Sequence, residues 1–199
     1  MSEKTFEDRD SAAHYLVSRL PAGLDTTQGA LAAIAVGLVD LFKETGFSVQ
    51  AEAEARRAVI PSLRWVIRND DLALFDALGE AITASATGAV VLASTGSLSL
   101  GAAPPAIEIL CQLVKVGRAV RAKGATLEPD EFQVLMALRA HTTGLSIGRL
   151  KEVLPNRAPF DSEDSLEAQL HHLDNFPTRS GGVSLVWRSA DQLWRARDI

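Results

Sequence analysis

Leu31, Ile34, Ala35, Leu38, Leu41 and Phe42 stand three and four residues apart, the spacing that lines one face of an amphipathic helix. Asp25 followed by Gln28 offers a capping pair at its start, and Gly46 offers a stop. Before it, the pattern predicts a helix from about Ser11 to Leu20, ended by Pro21-Ala22-Gly23, with residues 1–10 as a loose lead-in. After it, Ser48 caps a predicted helix over Gln50–Ile60, whose Glu52 and Arg56 pair at i,i+4 on a wet face. Pro61 interrupts that helix, and Leu63, Trp65 or Val66, and Ile67 continue an apolar surface. Asn69-Asp70-Asp71 then opens a helix with Leu72, Phe75, Leu78 and Ile82 on one side.

That helix runs into a stretch from Ala81 to Ile107, 27 residues without a formal charge, bracketed by Glu80 and Glu108. Its side chains are small. On helical spacing Ser85, Ala89, Ala93 and Ser97 form one stripe and Ala84, Gly88 and Gly96 the next, and such stripes let another backbone come close. Gly96–Pro105 reads as a loop, and a helix lined by Ile107, Leu110, Cys111 and Val114 follows as far as Gly124. Lys115, Arg118, Arg121 and Lys123 gather at its end, where they complement the helix dipole. A membrane-inserting hairpin over 81–114 is an alternative, but Ser, Thr, Gly and the Pro104-Pro105 pair dilute its apolar character. Burial in protein is the preferred expectation.

The pattern changes after Gly124. Leu127-Glu128-Pro129-Asp130 opens a helix carrying Phe132, Leu135, Met136 and Leu138. Ser146 caps a short helix with Ile147, Leu150, Val153 and Leu154, and Asp161 or Ser162 caps a third with Leu166, Leu170 and Leu173. Val183, Leu185 and Trp187 then alternate inward, a polar turn follows at Ser189–Gln192, and Leu193 to Arg197 return, which predicts a β-hairpin. The expected class is therefore mainly α. A helical bundle occupies 1–124, and three helices plus a β-hairpin occupy 125–199.

That order and spacing resemble a winged-helix module, part of the helix-turn-helix group, over roughly residues 126–199. The resemblance implies a third helix in the DNA major groove and a hairpin wing on the backbone. Charge points elsewhere. The third helix carries Asp161, Glu163, Asp164, Glu167 and Asp174 and no Lys or Arg. Duplex DNA presents about one negative charge per 1.7 Å of axis, which such a helix repels. Residues 125–199 hold eight basic and eleven acidic residues, and the whole chain has a net charge of −5. Polypeptide is the expected counterpart, with Leu166, Gln169, His172 and Asn175 on or near the exposed side of the helix. Under the DNA-binding alternative, a transcription regulator, the contacts would come from Arg179, Arg188, Arg195 and Arg197.

Candidate chemistry is sparse. Cys111 is the single cysteine and lies on an apolar stripe, so it is expected to pack as a small hydrophobe; it also fits a reducing, cytoplasmic setting. His171 and His172 are adjacent and point to different faces, and with His14 and His141 they form no metal-ligand spacing. GSLSLG at 96–101 matches no phosphate-binding loop. The polar start predicts no secretory leader. No cofactor and no enzymatic activity are expected. The Ala-, Gly- and Leu-rich style suggests a bacterial chain, and the small-residue stripes suggest self-association or partner binding by the N-terminal part.

Overall fold

A computed structural model describes residues 3–18, 35–51, 57–84 and 105–197. Strand β1 (Glu3–Phe6) and helix α1 (Arg9–Ser18) come first. Residues 35–38 make a helical turn that tightens into a 3-10 turn over Val39–Phe42. Strands β2 (Lys43–Ala51) and β3 (Arg57–Arg68) follow, then helices α2 (Asn69–Ala84) and α3 (Pro105–Ala122). The rest comprises α4 (Pro129–Ala140), α5 (Ile147–Val153) and α6 (Glu163–Asp174), with two small hairpins after them. These hairpins are β4 (Phe176–Thr178) with β5 (Gly181–Val183), and β6 (Val186–Arg188) with β7 (Trp194–Ala196). The protein is mainly helical, with a C-terminal helix-and-hairpin arrangement of winged-helix type.

A three-stranded antiparallel sheet, ordered β1-β3-β2, stands where the pattern predicted a helix over Gln50–Ile60 and a loose lead-in. Residues 52–56 lie outside the described residues, but Arg57–Ile60 belong to β3, and Gln50 and Ala51 to β2. The sequence of β3, rich in β-branched and aromatic residues, explains the difference. β-branched and aromatic side chains lose rotamer freedom in a helix and suit a pleated surface. An i,i+4 ion pair, at about 0.2–0.5 kcal/mol, is too weak to oppose them. Pro61 fits because β1 covers only residues 65–68, so β3 has β2 alone beside it at that point. Gly46 sits within β2 opposite Ser62 and ends no helix; the helical segment stops at Phe42 instead.

The buried apolar side chains form one continuous cluster. It runs from Leu16 of α1 through Ile67, Leu78 and Leu113 to Phe132 of α4, Leu170 of α6 and Trp194 of β7. Helices α2 and α3 both pack on α4. Gly117 makes the α2–α3 approach possible, since a Cβ there would lie 2.3 Å from Leu74 Cδ1 and 3.2 Å from Phe132 Cζ. Next to it, Arg118 turns inward: Nε donates to Asp71 Oδ1 at 2.8 Å and Nη1 to the Leu41 carbonyl at 2.7 Å. Of the basic cluster expected at a wet helix end, this member locks α3 to the start of α2.

The small-residue stripe at Ser85, Gly88, Ala89, Ala93, Gly96 and Ser97 lies outside the described residues. So do Pro21 to Gly23, Asp25, Gln28, Leu31 and Ile34. Among the described residues no helix is long and apolar enough to cross a membrane.

Candidate interaction surface

Local capping sets the C-terminal helices. The Ser146 hydroxyl accepts from the Arg149 amide and the Ser162 hydroxyl from the Ser165 amide, so α5 and α6 start where the sequence places them. Leu166, Leu170 and Leu173 of α6 are fully buried. Leu166 thus belongs to the core, correcting the expectation that it faces a partner. The reason is periodic: it shares the stripe of Leu170 and Leu173, three and four residues apart, and that stripe is the packed one.

Of the remaining three candidates, His172 and Asn175 are exposed, and both also touch neighbouring elements. Gln169 is half-buried. The His172 imidazole lies 3.2 Å from the Glu131 carboxylate of α4 and edge-on to Phe176 of β4. Asn175, just past the end of α6, is exposed, and its amide lies so close to Gly182 that a Cβ there would meet it at 2.1 Å. His171 points the other way, edge-on to Trp194 at 5.4 Å, so the two histidines do face different neighbours. Glu131 is buried, and burial pushes its carboxyl above the usual range even though the Glu128 amide donates to it at 2.7 Å.

The exposed residues of α6 are Glu163, Asp164, Ser165, Ala168, His171 and His172, with Glu167 half-buried at the edge. Arg188 of the wing reaches back to Glu167 at 3.3 Å. Arg188 is therefore held by the helix's own carboxylate.

Nor do the four arginines proposed for a nucleic acid form one group. Arg179 lies in the β4–β5 turn across Gly124, its amide bonded to the Lys123 carbonyl. Arg188 sits over α6, while Arg195 and Arg197 open on a different hollow with Arg139. The hairpin itself also departs from expectation. Val183, Leu185 and Trp187 do not alternate along one inward strand, because the chain breaks at Ser184. The Ser184 hydroxyl bonds to Asp174 and to the Val186 carbonyl. Val183 thus belongs to β5, and Leu185, Val186 and Trp194 are the buried side chains.

Sequence reasoning missed Arg139 and the sorting of the arginines. Positions 195 and 197 are two apart in an extended segment, which places them on one face. That signal was present. Arg139, on α4, had none.

Cys111 is half-buried, and burial raises its thiol pKa, as for a packed, unactivated cysteine. Among the described residues no group of three or more His, Cys, Asp or Glu is placed to hold a metal ion. The chain matches no protein-family model, no curated protein and no solved structure.

Proposed function

We propose that this protein is a non-catalytic interaction component whose α6 face docks a basic polypeptide surface. What supports the reading most is the pairing of Arg188 with Glu167, which leaves Glu163 and Asp164 as the outward charges of the helix. Carboxylates so arranged attract Lys- and Arg-rich surfaces and repel phosphate. The N-terminal part, with its uncharged small-residue stretch, supplies self-association or a second contact.

The test is titration with a Lys/Arg-rich peptide and, separately, with duplex DNA at low salt. The peptide should bind and weaken as salt rises. A variant with Glu163→Gln, Asp164→Asn and Glu167→Gln together should weaken it at least tenfold, because a few rim charges act additively on such an encounter. Saturable duplex binding that disappears when Arg179, Arg188, Arg195 and Arg197 are replaced together would instead establish the DNA-regulator reading. Light scattering in solution reports whether the chain self-associates.

A further inference from the structure

A hollow of about 640 Å³ opens between α3, the C-terminal end of α4 and the outer face of the β6–β7 hairpin. Gln112, Arg139, Thr142, Trp187, Arg195 and Arg197 face it, and no Asp or Glu is among the described residues that line it. Its size falls in the range of small-molecule sites, roughly 300–1,000 Å³. In a chain of net charge −5, three arginines line one concave surface.

Each arginine is placed for a different task. Arg139 is structural: its guanidinium donates to Gln112 Oε1 and, at 2.6 Å, to the Arg197 carbonyl, tying α4 to α3 and to the end of β7. Arg195 lies opposite Trp187 in the hairpin register, and its guanidinium covers the indole at 5.6 Å. One of its terminal nitrogens meets Asp191 at 3.3 Å, while its Nε is buried without a hydrogen-bond partner among the described residues. Arg197 is exposed, and its side chain has no hydrogen bond or ion pair among them.

Gly144 makes the arrangement of Arg195 possible. With φ of +89° it brings the turn after α4 so close that a Cβ would meet Arg195 Cγ at 2.9 Å and the Trp194 carbonyl at 3.0 Å. The adjoining Leu145 is bonded to Trp194 in both directions, so the turn and the hairpin are one rigid unit.

We propose that this hollow binds a small-molecule oxyanion, a phosphoryl or carboxylate group held by Arg195 and Arg197 with the body of the ligand against Trp187. Guanidinium forks match the geometry of either group. The Arg197 guanidinium has no ion pair among the described residues, and an anion seated between it and Arg195 gains attraction from both. A long polyanion suits the site less well, because the acidic α6 lies on the other side of the same hairpin. The proposal is independent of the α6 reading.

The test uses the full chain with inorganic phosphate, pyrophosphate and citrate as probes, followed by tryptophan fluorescence and calorimetry. At least one probe is expected to give a saturable one-to-one signal, and preference among the three separates phosphoryl from carboxylate ligands. Arg197→Ala should weaken binding at least tenfold while leaving thermal unfolding unchanged, since that side chain is exposed and holds nothing in place. Arg195→Lys should weaken it as well, since the charge stays and the fork is lost. Trp187→Phe should abolish the fluorescence change but keep the heat of binding. The idea is overturned if no probe saturates at millimolar concentration, if Arg197→Ala binds as the parent does, or if only duplex or single-stranded nucleic acid engages Arg197.

Discussion

On one face of the β6–β7 hairpin, Arg188 folds onto Glu167 of α6; on the other, Arg195 and Arg197 line a concave surface with Arg139. The two faces are a single residue apart along the strand. Register sorts them, since Trp187 pairs with Arg195 and Arg188 with Trp194, and successive side chains leave a strand on opposite sides. Each arginine accordingly lies near the tryptophan across from it, at 5.6 Å on the pocket side and 5.9 Å on the α6 side. The net charge of residues 125–199 averages over both faces and describes neither. One hairpin thus serves an acidic surface and a basic hollow, with Trp187 and Arg195 on one side and Arg188 and the buried Trp194 on the other.

The largest disturbance of that division is Trp194→Ala. The side chain is fully buried, and its loss should cost about 3–5 kcal/mol and loosen both faces, seen as an earlier denaturation midpoint. If the variant retained the parent's stability and its phosphate response, the hairpin would not be the divider described.

Gly144→Ala comes next and is one-sided. Positive φ at a non-glycine residue and the collision with Arg195 together should cost about 1–3 kcal/mol, and the oxyanion response should fall while basic-peptide binding persists. Equal loss on both faces would show that they are mechanically coupled.

The smallest effect concerns the far side of α6, where Glu131 meets His172. A carboxyl whose folded pKa lies above its unfolded value binds more protons when folded, so its contribution to stability is present at low pH. It is lost as pH rises from about 4.5 towards the folded value. Glu131→Gln should flatten the stability profile in that window, measured by chemical denaturation at pH 4 and pH 6. A profile just as steep in the variant would assign the pH dependence to another group.

Local signals made the C-terminal helices legible. Ser146 and Ser162 mark helix starts through hydrogen bonds made within three residues, and Pro129 stands at the first position of α4. The polar turn between β6 and β7 was equally local. Where the reading failed, the deciding contact was distant. β1 was invisible because Thr5 needs Val66 beside it to be a strand, and β2 because it pairs across its whole length with β3. Leu166 differs from these, since its burial follows from the local stripe it shares with Leu170 and Leu173.

The amino-acid order by itself determined the mainly helical class, the start of α5 and α6, and the acidity of the last helix, because each depends on neighbours within a turn or two. Only the tertiary structure decided that Lys43–Ala51 and Arg57–Arg68 pair in a sheet, that Arg118 clamps α2, and that Arg139 lines one hollow with Arg195 and Arg197. Those outcomes join residues dozens of positions apart, and such pairings are set by packing and backbone hydrogen bonding across the fold, which no local pattern encodes.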